Sequence, residues 1–201
     1  MVDVDIAYAA GARAPIHQTS RIRRTFREHD GEVSVHRFYW LDEEALAGCS
    51  RPGMRDEDAA EEESAETLEA DLLALRAEGI GALVTLTEEP LPAADVERHG
   101  FVVLHLPVED YQAPAEEQFV AALAFITEQQ ETGVAVAVHC RAGVGRTGSI
   151  LAATRIAQGM TAQEAINAVR VHCPTAVETD EQVAALERLA LELPWLDLGA
   201  E

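Results

Sequence analysis

A cysteine and an arginine with five residues between them are the part of this chain best suited to chemistry. They stand in the stretch His139-Cys140-Arg141-Ala142-Gly143-Val144-Gly145-Arg146-Thr147-Gly148. Cys140 offers a sulfur nucleophile. Arg146 offers a planar guanidinium that can hold two oxygens of one tetrahedral anion. Residues 134–138, all Val and Ala, predict a buried strand, and residues 149–157 predict a helix. A glycine-rich turn that opens a helix aims successive backbone N–H dipoles at one point, where they hold an oxyanion. The same dipoles would hold a sulfur anion at Cys140. A nucleophile and an anion cradle in one loop suggest phosphoryl transfer to sulfur.

Other chemistries fit the stretch less well. Gly143, Gly145 and Gly148 match a dinucleotide-binding spacing, but that motif needs a strand and an acidic residue about 20 residues on. Helical pattern occupies that region instead. A nucleotide-triphosphate loop ends in Lys-Ser/Thr, and the chain contains no lysine. His139-Cys140 with His172-Cys173 could suggest zinc, yet adjacent side chains diverge on regular backbone and no CxxC pair accompanies them. A sulfurtransferase also keeps a cysteine in an anion loop. It would not require Arg146 and Thr147 at these positions.

With Cys140, Arg146 and the preceding His139 in this strand–turn–helix context, the stretch resembles the signature loop of the cysteine-based protein tyrosine phosphatases. The resemblance runs over about residues 38–189. No motif like the tyrosine-recognition loop of the tyrosine-specific members is visible, so the chain is most similar to the small atypical dual-specificity branch. The resemblance implies an α/β single domain with a central, mostly parallel sheet flanked by helices. It implies that Cys140 attacks phosphorus while Arg146 and the N–H groups of residues 141–146 (Arg141, Ala142, Gly143, Val144, Gly145 and Arg146) bind the phosphate. Thr147 would hydrogen-bond the Cys140 sulfur, and His139 would orient the loop backbone. No metal and no organic cofactor is implied.

Such an attack expels an alkoxide or phenoxide that needs a proton from a positioned acid. In residues 107–114, Glu109 and Asp110 follow a predicted strand (101–106), which aims them at the rim of the same pocket. The resemblance aligns Asp110 with the family's acid, and Glu109 remains the alternative. It also aligns Gln182 with a glutamine that places the hydrolytic water, although a glutamine near a helix start has structural uses too. Around residues 41–53 a looser likeness to a Gly…Arg-Pro segment bordering the pocket places Arg51 near phosphate and Trp40 in the core. Arg141, on the rim, either adds positive potential or pairs with a carboxylate, for instance on the Asp110 loop; the acidic surface favours the pairing.

The elements that must position these groups are legible in outline. Strands are predicted at 32–40, 81–86, 101–106 and 134–138. Helices are predicted at 56–79, 92–99, 115–131, 149–158 and 161–171, with a last helix capped by Thr179. Thr161 and Glu164 form a capping-box pattern. Strands alternating with helices make a parallel sheet, and ligands of such sheets bind at the carboxyl ends of strands. Residues 41–53 read as a run into turn signals. Residues 1–30 read as an extension, 31–193 as the domain and 194–201 as a tail.

Composition narrows the function further. An apolar fraction of 48% supplies a core for one domain of this 201-residue chain. Its 36 acidic residues against 15 arginines leave a formal charge of −21. That surface repels nucleic acid and anionic membranes. The one basic cluster, residues 21–27, reads as a solvated segment or a docking patch for phosphorylated partners. Three cysteines make no disulfide framework, and Cys49 and Cys173 read as ordinary buried thiols, the alternative being a disulfide partner for Cys140. Without a signal-like or spanning run, the expected place is the cytoplasm, with a phosphorylated protein or small phosphate ester as partner.

Overall fold

The computed structural model describes residues 35–54 and 65–192. The extension, the cluster at 21–27, the start of the helix expected from 56, and the tail with Trp195 lie outside the described residues. Five strands form one sheet in the order β1-β2-β5-β3-β4. They are β1 (Tyr39–Asp42), β2 (Leu46–Cys49), β3 (Ile80–Thr85), β4 (Val102–His105) and β5 (Ala135–His139). Only β1 pairs antiparallel, with β2; β2·β5, β5·β3 and β3·β4 are parallel. The mostly parallel α/β sheet expected from the alternation is therefore the observed one.

Side-chain alternation divides the core into two layers. Val136, Val138, Ala82 and Val84 face helices α3 (Glu116–Glu131), α4 (Gly145–Ala157), α5 (Ala162–Arg170) and α6 (Asp180–Glu192). Ala135, Ala137, Ile80 and Leu83 face α1 (Ala65–Ala77) and α2 (Ala93–Arg98). The small alanines of β5 let Leu68, Leu72 and Leu75 of α1 close over the sheet. Leu72 and Leu75 are fully buried, each contributing on the order of 2 kcal/mol of burial free energy. The capping box forms as expected: Thr161 Oγ1 accepts the Glu164 N–H and Glu164 Oε2 accepts the Thr161 N–H.

Three expectations need correction. The strand predicted at 32–40 is observed as β1, Tyr39–Asp42, and residues 35–38 stand outside it. Residues 46–49, read as a run into turns, are the buried inner strand β2. Leu-Ala-Gly-Cys carries little strand propensity, and its place is decided by pairing with β1 and β5 on both sides. A Cβ on Gly48 would stand 2.6 Å from the Tyr39 ring and 2.9 Å from Leu151, so close packing selects the small residue. The helix expected from residue 149 begins at Gly145, which places Arg146 in its first turn.

Candidate active site

The loop from Cys140 to Val144 leaves the carboxyl end of the central strand β5 and enters α4. Its shape follows from what its carbonyls bond. The Arg51 N–H donates to Arg141 O at 3.0 Å, and Arg37 Nη1 donates to Ala142 O at 3.1 Å. In a trans peptide the N–H points opposite to the carbonyl. The Ala142 and Gly143 N–H groups therefore face the inner side of the loop. Gly143 has φ +74°, and a Cβ there would stand 2.5 Å from the Cys49 backbone. Only glycine fits both constraints. Val144, the residue before α4, offers no side-chain cap, so the first N–H groups of α4 are not claimed by a side chain of the chain's own cap.

Cys140 lies in the core at 3% exposure, and Arg146 at 2%. A guanidinium this buried must be paired, and its partners lie on loop 107–115 and on Glu88. Its Nη2 donates to Asp110 Oδ1 at 2.6 Å, and its Nη1 to Val108 O at 2.7 Å and Glu88 Oε2 at 3.2 Å. Loop 107–115 is fastened on every side. Gln118 Nε2 donates to Pro107 O, the Val108 N–H to Leu86 O, Thr179 Oγ1 to Tyr111 O and Gln182 Nε2 to Gln112 O. Tyr111 itself is left-handed at φ +63°, a conformation costing a tyrosine about 1–2 kcal/mol, and its N–H is held by Asp110 Oδ1.

The structure thus brings Asp110 onto Arg146, which lies in the first turn of the helix that the Cys140 loop enters. Glu109, the neighbouring carboxylate, is exposed and bonds none of these groups through its side chain. Glu88 was not foreseen. Its Oε1 accepts the Asp110 N–H at 3.0 Å while its Oε2 accepts from Arg146. Its own backbone N–H and the Arg146 charge hold its carboxyl below the usual range. The signal was present: Thr87-Glu88-Glu89 leaves the carboxyl end of β3, next to β5.

Several expected contacts differ. Arg141 is exposed and forms no ion pair among the described residues, because Asp110 is bonded to Arg146 instead. Arg51 turns away from the cradle and binds loop 87–90. The expected bond from Thr147 to the Cys140 sulfur is absent; the Thr147 hydroxyl is buried and has no partner among the described residues. Gln182 is fully buried, and its Oε1 accepts the Glu178 N–H at 2.8 Å, so its amide ties the α6 entry to the acid loop. Thr179 Oγ1 accepts the Gln182 N–H, the cap expected for α6. Cys49, Cys140 and Cys173 are free thiols. Burial pushes the Cys49 and Cys173 thiols up, as suits ordinary core residues.

His139 bonds β3, its Nε2 lying 2.9 Å from Thr85 Oγ1, and it also interacts with the Cys140 backbone. Complete burial, aided by the Arg51 charge, lowers its pKa from 6.5 to about 3, so it is neutral near pH 7. The folded value lies below the unfolded one, so acid protonates the unfolded chain first. The stability is intact above pH 6.5 and is lost as pH falls toward 3. Between pH 7 and 4.5 this one residue should remove roughly 2–3 kcal/mol. Denaturant unfolding of wild type and His139→Gln at the two pH values checks it: the variant should show a pH loss smaller by that amount, and equal losses would refute the assignment.

A family described as "Polymorphic toxin system, DSP-PTPase phosphatase" matches residues 58–160. Protein tyrosine phosphatase type IVA 2 of Mus musculus is 33% identical over 99 residues, covering 48% of this chain and 59% of that protein. A solved structure of Tk-PTP in its active form superposes with a TM-score of 0.64 at 30% identity, covering 77% of this chain and 96% of that one. A solved structure of PTPMT1 in complex with PI(5)P gives a TM-score of 0.66 at 19% identity, over 79% and 97% of the two chains, a likeness of fold. The chain belongs to this family of cysteine-based, dual-specificity-like tyrosine phosphatases. The chain thus spans less than two thirds of the mouse protein's length, and 15% of that of Tyrosine-protein phosphatase cdc-14 of Caenorhabditis elegans.

Proposed function

We propose that this chain hydrolyses phosphomonoesters through a phosphocysteine at Cys140, acting on phosphotyrosine and, more slowly, phosphoserine or phosphothreonine in proteins. The observation that carries the reading is the Arg146–Asp110 bond of 2.6 Å at the mouth of the Cys140 loop. In this reading the pair supplies clamp and acid to the loop that carries Cys140. Cys140 Sγ attacks phosphorus, and Arg146 with the loop N–H groups takes up the charge on the equatorial oxygens. A phosphate that occupies Arg146 competes with Asp110 for it; the released carboxylate takes up a proton from solvent and passes it to the leaving oxygen. Asp110 then takes a proton from the water that cleaves the phosphocysteine. The uncommitted Thr147 hydroxyl is available to the departing sulfur, and Gln182 holds the acid loop from behind. The chemistry needs no metal or organic cofactor.

A second reading is a phosphoinositide or other small phosphate ester as substrate. Arg141, exposed and without an ion pair among the described residues, favours it, as does Arg37 beside it on the Ala142 carbonyl. The fold likeness to PTPMT1 with PI(5)P is compatible. The acidic chain opposes approach to anionic lipid, so we rank it second. A catalytically silent phospho-ligand-binding module would have no use for a matched acid, and turnover of an aryl phosphate excludes it. Three free thiols suit a reducing compartment, and no helix among the described residues is long and apolar enough to cross a membrane. We read the protein as cytoplasmic.

Asp110→Asn tests the acid. Asparagine can still accept from Arg146 and from the Tyr111 N–H, so the loop should hold its place. The loss should reach about 100-fold on esters with poor leaving groups, be far smaller on good ones, and flatten the basic limb of the pH–rate profile. Equal losses across leaving groups would reject Asp110, and the same series on Glu109 would identify the neighbour.

A further inference from the structure

Arg51 has no place in the reaction as described, yet it touches two of the loops that make the site. Its backbone N–H holds the Arg141 carbonyl of the anion loop. Its guanidinium, in a residue only 9% exposed, reaches the loop after β3. Nη1 donates to Thr87 Oγ1 at 2.8 Å and to Glu89 O at 3.0 Å, and Nη2 to Pro90 O at 3.2 Å. Thr87 Oγ1 donates in turn to Glu89 O, and His105 Nε2 bonds Thr87 O. The backbone on both sides of Glu88 is therefore fixed from below, mainly by one buried cation.

Glu88 is where that rigidity is used. Its carboxylate is half exposed, and a glutamate side chain on a mobile loop would lose rotamer freedom each time it bridged two groups. Here its two oxygens span the Asp110 N–H and Arg146 at 3.0 and 3.2 Å. A shift of about 1 Å in the loop breaks both bonds, and displacements of that size far from the chemistry cost up to about 100-fold in rate. Without Arg51, the buried Thr87 Oγ1 and the part-buried Glu89 and Pro90 carbonyls would lose a charged donor, and the loop would relax to find others.

We propose that Arg51 is a positioning residue for catalysis, which acts through loop 87–90 and Glu88 to set the Asp110 loop against Arg146. The proposal rests on the phosphatase reading above. It predicts that Arg51 governs proton delivery to the leaving group, although it touches neither substrate nor acid. A clamp that served stability alone would lower the melting temperature and leave the leaving-group dependence as it was.

The experiment compares wild type, Arg51→Met, Glu88→Gln and the double variant on phenyl phosphate and para-nitrophenyl phosphate. The fall in kcat/KM for Arg51→Met should be about tenfold greater on phenyl phosphate than on the nitrophenyl ester. The double variant should lose no more than the worse single one, since both changes cut one path. Equal losses on the two esters, or losses that multiply in the double variant, overturn the proposal. Should Arg51→Met fail to fold, Thr87→Val removes one contact of the clamp and must steepen the leaving-group dependence in the same sense, or the proposal falls. Wild type inactive on both esters would overturn the phosphatase reading and this inference with it, whereas active wild type with unselective losses overturns this inference alone.

Discussion

Cys140→Ser should abolish turnover of an aryl phosphate, by at least about 10⁴-fold, while leaving the fold and phosphate binding in place. A serine hydroxyl is a poor nucleophile without a base to activate it. His139, the nearest candidate base by sequence, points instead to Thr85 in β3. The substitution removes little volume from a site at 3% exposure, and the buried hydroxyl should cost about 1–2 kcal/mol. The cradle is built from backbone N–H groups, the outward carbonyls of Arg141 and Ala142 and the left-handed Gly143, none of which depends on the sulfur. Steady-state kinetics with calorimetric titration of phosphate checks both halves. Activity above about one part in a hundred of wild type would mean that Cys140 is not the nucleophile.

Arg146→Lys carries the second large effect, a fall in kcat/KM of about 10³-fold despite the conserved charge. The guanidinium meets Asp110, Val108 O and Glu88 with two nitrogens set in one plane. An ammonium is a single point and cannot reach the acid loop and two phosphate oxygens with the same geometry. The loss should appear on good and poor leaving groups alike, which separates it from Asp110→Asn. Phosphate affinity should fall with it. A lysine variant within tenfold of wild type would show that position 146 supplies charge only.

The catalytic stretch was legible in the sequence because its chemistry is local. Cys140, the glycines and Arg146 lie within two turns of chain, and an apolar run before and a helical pattern after leave them one geometry: a loop at a strand's end that opens a helix. The parallel sheet followed from the alternation of elements, and the capping box at Thr161 from a three-residue spacing. The inner strand β2 was not legible. Leu46, Ala47, Gly48 and Cys49 bury themselves there only because β1 and β5 supply partners on either side, and no property of residues 46–49 announces those neighbours.

What the sequence determined, then, is the candidate nucleophile, the candidate clamp and the class of sheet, each carried by residues close in the chain. What the tertiary structure decided is which distant side chains meet them. Glu109 and Asp110 are adjacent carboxylates in sequence, and only the closure of loop 107–115 against β3, α3 and α6 turns one of them onto Arg146. Arg51 resembled a phosphate ligand by its neighbours in the chain. Its guanidinium goes to loop 87–90, where the buried Thr87 hydroxyl and two part-buried carbonyls accept from it. Glu88 entered the site, and Arg141 was left without a carboxylate among the described residues, for the same reason: charges separated by tens of residues pair according to where the folded backbone sets them, and a linear spacing holds no record of that distance.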